Sequence, residues 1–193
     1  VDAGAGITYT NRSSVLTAQT IVAEYPAGTN GPYPLRVTSD NTPASGASGW
    51  YMDLVPPNGV PAGERVIERA VIRYDRIVFP TMLPLASAGC SGGGDGWLME
   101  VLLATGGRPK TASFDLNGDG KFDGSDGVTL NGELVVVTGI NPQVGVISGA
   151  PAVVVGAKAE TKWVTGSAGG TPFSVSERIE ARSSGRQSWI QLQ

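Results

Sequence analysis

One stretch concentrates oxygen-bearing side chains: Asp115-Leu116-Asn117-Gly118-Asp119-Gly120-Lys121-Phe122-Asp123-Gly124-Ser125-Asp126. Counting Asp115 as the first position, such side chains fall at positions 1, 3, 5, 9 and 12 (Asp115, Asn117, Asp119, Asp123, Asp126), with Gly120 at position 6. This alternation lets a tight loop turn successive oxygens onto one hard cation, and a glycine permits the sharp reversal that a Cβ resists. Lys121, at the seventh position, would offer its backbone carbonyl while its ammonium points to solvent. Calcium, which takes six to eight oxygens at ~2.3–2.6 Å, suits the set better than magnesium with its small octahedral shell. The absence of thiolate and imidazole ligands argues against zinc and copper.

Four carboxylates in so short a loop repel one another once desolvated, so ordering of the loop is expected to be coupled to cation binding. A solvated Asp/Asn/Gly turn is the plainer alternative, but all six informative positions match the calcium-loop spacing. Phe122 is expected to anchor the loop in the core. Val128, Leu130, Leu134 and Val135 beyond it are expected to begin a short helix of at most one turn.

Little else in the chain offers chemistry. There is no histidine to activate a nucleophile, so the single cysteine, Cys90, reads as a loop thiol. The acidic pairs Glu64/Glu68 and Glu177/Glu180 read as solvated faces. The glycine runs at 92–94 and 169–170 lack the strand and helix context of a phosphate loop. A closed ligand set with no base–nucleophile pair beside it implies a structural cation and no enzymatic activity.

The elements that would position the loop are short strands. Apolar runs at 21–25, 35–37, 50–54, 64–68, 70–73, 77–83, 133–138, 145–147, 152–155, 161–164, 173–179 and 188–192 recur about every ten residues between Gly, Pro and Asn. Residues 70–83 predict a hairpin around Tyr74-Asp75-Arg76, with Pro80 demoting its second arm to an edge or interrupted strand. The run 97–103 fits a short helix or a buried strand, and its flanking glycines favour strand. The fold class expected is all-β, of the sandwich, barrel or propeller kind.

Of the 193 residues, 40% are hydrophobic and 16% charged, with 14 basic and 17 acidic side chains. That balance is folded rather than disordered, and no basic cluster marks a nucleic-acid surface. The longest apolar runs, such as 134–137 and 151–155, fall far short of a membrane span. The start at Val1 without an initiator methionine suggests a piece of a longer precursor.

Several motifs, in order, carry a resemblance: Gly49-Trp50-Tyr51-Met52-Asp53-Leu54, Gly63-Glu64-Arg65-Val66, Cys90, Gly96-Trp97-Leu98-Met99-Glu100, Thr105-Gly106-Gly107, the 114–123 loop and Gly185-Arg186-Gln187-Ser188-Trp189. Together they resemble the C-terminal region of the type IV pilus biogenesis and tip-associated adhesin family. The resemblance implies a β-propeller with a quinoprotein-like repeat, of which residues 49–193 form a C-terminal portion. Residues 1–48 are expected to be a loosely structured or partner-dependent segment.

It further implies calcium on Asp115, Asn117, Asp119, the Lys121 carbonyl and Asp123, with Asp126 added from the twelve-residue spacing. The implied location is extracellular, on the outer-membrane surface or the pilus. The implied roles are pilus assembly, twitching motility and adhesion. The implied partners are pilins or minor pilins, the rest of a longer parent chain, and a host or surface ligand. Two other classes share features: a quinone-dependent dehydrogenase propeller, which needs a closed ring, and a dockerin-like scaffold module, which carries two such loops.

Overall fold

Frequent glycine and proline cut the chain into short extended segments, and the computed structural model, which describes residues 6–84 and 93–179, is built almost wholly of them. One helical turn, α1 (Arg12–Val15), precedes β1 (Thr17–Gln19), β2 (Ile21–Tyr25), β3 (Leu35–Thr38) and β4 (Trp50–Met52). Then come β5 (Val71–Arg73), β6 (Arg76–Pro80), β7 (Leu83–Pro84), β8 (Gly94–Asp95) and β9 (Leu98–Leu102). A 3-10 turn, η1 (Gly124–Asp126), leads into β10 (Gly127–Leu130), β11 (Glu133–Val136) and β12 (Gly139–Ile140). The last three are β13 (Ile147–Val155), β14 (Ala159–Gly166) and β15 (Phe173–Arg178). The all-β class read from the sequence is the observed one.

A six-stranded antiparallel sheet in the order β2-β3-β12-β9-β6-β5 forms the centre. Its inner strands β3, β12 and β9 are buried on both faces, which is why β9 is apolar except for Glu100. One face carries Leu35, Val37, Val78, Leu98 and Ile140 against Ile147, Val164, Phe173 and Val175 of the β13-β14-β15 sheet. The other face carries Phe79, Trp97, Met99 and Val101 against Trp50 and Met52 of β4, which pairs in parallel with β1. Among the described residues no sheet closes on itself; β2 and β5 are the outer strands of the large one.

Charged residues are built into both interfaces. Lys162 of β14 is 0% exposed and bonds Glu100 of β9 at 2.6 Å and Glu177 of β15, with Glu160 at 3.8 Å. Arg76 reaches Glu100 at 2.9 Å, and Arg73 forms a forked pair with Glu160. Three cations thus meet three carboxylates at one end of the apolar layer. On the opposite face Arg36 is 1% exposed, pairs with Glu24 and Glu64, and lies 4.0 Å from the Trp97 ring centre.

Several expectations are corrected. Glu64 has no exposed side-chain surface and Glu177 is 2% exposed. These two acids are therefore not solvated faces: Glu64 neutralises Arg36 of β3, and Glu177 neutralises Lys162 of the neighbouring strand β14. Glu180 and Cys90 lie outside the described residues, as do 188–192 and the closing Gly185–Trp189 motif. The division at residue 48 also differs from the structure, because β2 and β3 hydrogen-bond within the six-stranded sheet that holds β9 and β6. They complete the backbone pairing of that sheet rather than preceding it.

Pro80 does not mark an edge. It is the last residue of β6, a strand flanked by β9 and β5, where one ladder bond is lost at small cost. The 152–155 run begins earlier, as β13, and a bulge between Ser148 and Ala152 accommodates Pro151. The expected helix after Asp126 is instead the hairpin β10–β11. Asn131 and Gly132, with φ of 52° and 87°, supply the two left-handed positions of its tight turn.

Candidate metal centre

The loop 115–126 hangs from a backbone bridge. Asp115 N–H donates to the Ser176 carbonyl at 3.0 Å, and Arg178 N–H donates to that of Ser113 at 3.1 Å. Phe114 and Leu116, 1% and 9% exposed, point into the core on either side of Asp115, so alternation turns Asp115 outward. These two residues anchor the loop. Phe122 does not: it is only half-buried, which corrects the anchor expected from the sequence.

Within the loop the acidic side chains organise the backbone. Asp115 Oδ1 accepts from Gly118 N–H at 2.7 Å and Asp119 N–H at 3.1 Å, and its Oδ2 accepts from Gly120 N–H at 2.9 Å. Asn117 Oδ1 accepts from Asp119 N–H, and Asp119 Oδ1 accepts from Lys121 N–H. Gly118 and Gly120 have φ of 76° and 74°, so the chain curls around these acceptors where L-residues are strained.

The far end is closed by a reciprocal cap on η1. Asp123 Oδ1 accepts from Ser125 N–H and Oγ–H, while Asp126 Oδ2 accepts from Asp123 N–H. The Ser125 backbone and then its hydroxyl hold the Asp123 carboxyl below the ordinary carboxylate range. Asp126 is 1% exposed, and its other oxygen accepts from Leu116 N–H at 2.8 Å. Burial pushes its carboxyl upward despite those bonds. Asp126 thus ties the two ends of the loop together.

One residue that the sequence did not single out belongs here. Asn30, in the β2–β3 connection, donates from Nδ2 to the Ser125 carbonyl at 2.6 Å and the Gly127 carbonyl at 2.7 Å. Beside it Gly31, with φ of 99°, sits so close that a Cβ would lie 2.5 Å from the Leu116 carbonyl oxygen. Tyr25 Oη–H adds a bond to the Thr129 carbonyl at 2.8 Å. The β2–β3 turn therefore clasps the loop from outside. An Asn-Gly dipeptide signals a turn, but nothing local says what that turn touches.

Asp115, Asn117, Asp119, the Lys121 carbonyl and Asp123 are all hard oxygen donors within nine residues, and this chemistry fits calcium. Among the described residues no group of three or more His, Cys, Asp or Glu side chains is gathered as a ready-made cage. Two of the five donors, an amide and a carbonyl, are of neither kind. The carboxylates are spread along the loop, each held by backbone N–H groups.

Fold and site together define an all-β module with a single candidate hard-cation loop and no catalytic constellation among the described residues. No family model matches the chain. Its curated relatives are type IV pilus biogenesis factors. A PilY1 homolog of Xylella fastidiosa is 36% identical over 109 residues, covering 56% of this chain and 8% of the relative. A second Xylella homolog is 41% identical over 59 residues, and Pseudomonas aeruginosa PilY1 is 30% identical over 100 residues. The Pseudomonas match spans 52% of this chain and 8% of that protein.

Among solved structures, the P. aeruginosa PilY1 C-terminal domain matches with a TM-score of 0.69 at 20% sequence identity. That match covers 91% of this chain and 33% of the domain. The kinship with pilus biogenesis factors that the motifs implied is thus present in sequence, and the likeness in fold extends over nearly the whole chain. It agrees with the expected propeller-like class, of which this chain spans a part. No helix among the described residues is long and apolar enough to cross a membrane.

Proposed function

We propose that the chain is a calcium-binding, non-enzymatic part of a type IV pilus biogenesis factor, displayed at the cell surface or on the pilus. The observation that carries the calcium reading is the hard-oxygen set Asp115, Asn117, Asp119, Lys121 carbonyl and Asp123, curled by Gly118 and Gly120. Asp126 closes the loop behind it. The cation offsets the mutual repulsion of the carboxylates and makes the loop a rigid joint between β15 and the central sheet. The similarity to PilY1 supports roles in pilus assembly, twitching motility and adhesion, with pilins and the rest of the parent protein as partners.

Calorimetric calcium titration of the chain and of Asp119→Ala tests the site. The expected result is one site per chain, abolished or greatly weakened in the variant. Equal binding by both proteins would discard the assignment. The same substitution in the parent protein of a piliated strain should shrink twitching zones, and an undiminished zone would separate the cation from the pilus role.

A further inference from the structure

Lys162 and Glu177 stand on neighbouring antiparallel strands, β14 and β15, with Glu177 opposite Glu160, one same-face step along from Lys162. Both side chains turn inward, toward the central sheet, and are 0% and 2% exposed. Lys162 Nζ touches Glu177 Oε2, while the Oε1 of that carboxyl is buried without a partner among the described residues. From the facing sheet Glu100 brings its Oε2 to 2.6 Å from the same nitrogen and gives its Oε1 to Arg76 at 2.9 Å. We propose that Lys162 and Glu177 condense to an internal ε-(γ-glutamyl)lysine amide, with Glu100 as the proton carrier.

The step needs no outside reagent. The Lys162 ammonium passes one proton to Glu177 Oε2, which leaves a neutral amine against a neutral carboxylic acid. The nitrogen lone pair attacks the carboxyl carbon, and Glu100 Oε2 takes a second proton from that nitrogen. Glu100 then hands this proton to the departing hydroxyl, which breaks from carbon and leaves as water. One C–N bond forms, one C–O bond breaks, and Glu100 ends as it began. Burial already holds the Lys162 ammonium below the ordinary lysine range, against the pull of Glu100. Two groups held in contact and away from water react as if at about 10⁵ M or more.

The surroundings favour the amide over a lasting ion pair. Three cations and three carboxylates share this end of the layer, each charge costly to desolvate. Condensation removes one charge of each sign and leaves the pairs Arg76–Glu100 and Arg73–Glu160 balanced. The unpartnered Glu177 Oε1 becomes the oxygen of a neutral amide, which is cheaper to bury bare than half of a carboxylate. The bond ties β14 to β15, the strand from which the 115–126 loop hangs, so that β15 cannot peel away. None of this rests on the calcium reading.

Tryptic mapping of the native protein by mass spectrometry, under denaturing conditions, tests the bond. A free Lys162 gives separate peptides 159–162 and 163–178. The amide blocks cleavage after Lys162, so the expected product is a single peptide, 159–178, lighter by one water and closed by a ring between Lys162 and Glu177. Lys162→Arg keeps a cation there but cannot form this amide, and should return the two peptides at full mass. Glu100→Gln, which carries no proton, should slow closure by about a hundred-fold and leave most of the chain unlinked. Separate peptides at full mass from the native protein overturn the bond. A water missing elsewhere in the chain, with 159–162 and 163–178 intact, overturns it as well. Complete linkage in Glu100→Gln overturns the role given to Glu100.

Discussion

At the scale of single residues, two glycines show different reasons for lacking a side chain. Gly120 has φ of 74° and open space where a Cβ would stand, so Gly120→Ala costs only the left-handed backbone, about 1–2 kcal/mol. Gly31 has φ of 99° and in addition would press a Cβ to 2.5 Å from the Leu116 carbonyl oxygen. Gly31→Ala should therefore be the more damaging of the two, by urea denaturation, and should weaken calcium binding as well by displacing the Asn30 clasp. Equal stability losses would mean that the β2–β3 turn moves aside freely.

At the scale of elements, the contact between the central sheet and β13–β15 changes character along its length, from apolar to ionic. Lys162 stands among Glu100, Glu160 and Glu177, all 2% exposed or less. Lys162→Met would remove the cation and leave buried carboxylates facing one another, at a cost of about 3–5 kcal/mol. Chemical denaturation measures it; a loss below about 1 kcal/mol would mean that the pair is not desolvated.

Burial resists ionisation of Glu100, yet Lys162 and then Arg76 outweigh it, and its carboxyl titrates below the ordinary range. The folded state then binds fewer protons than the unfolded one as acid is added. Its contribution is present above the unfolded pKa of about 4.3 and is lost as pH falls through the folded value. Thermal melts through this acid range should fall more steeply for the native sequence than for Glu100→Gln. Parallel slopes would assign the acid sensitivity to other groups.

At the scale of the whole molecule, a ligand that binds only the folded chain raises its stability by mass action. The gain is about 2.7 kcal/mol at a hundred-fold excess over the dissociation constant. Calcium should therefore raise the melting temperature and chelation should lower it. Hydrogen exchange should slow not only in 115–126 but also across the Asn30–Gly31 turn, which is bonded to that loop. Protection confined to the loop would show that the clasp does not transmit.

The extent to which this molecule was legible in its sequence follows from the range of the interactions involved. The all-β class and the loop chemistry depend on neighbours within about a dozen residues, and spacing alone carried both. Gly120 and the alternating oxygens of 115–126 could be read because one tight turn brings them together. The Asn131-Gly132 hairpin is equally local, but the apolar residues on either side of its turn fit a helical as well as a strand spacing.

What the tertiary structure decided is which polar residues are inside. Lys162 meets Glu100 from 62 positions away, and Asn30 reaches Ser125 from 95, so no window on the sequence links them. Glu64 and Glu177 read as solvated because acids usually are; only the pairing with Arg36 of β3 and with Lys162 of the neighbouring β14 makes their burial tolerable. Local chemistry named the candidate cation loop, and long-range pairing supplied the turn that clasps it.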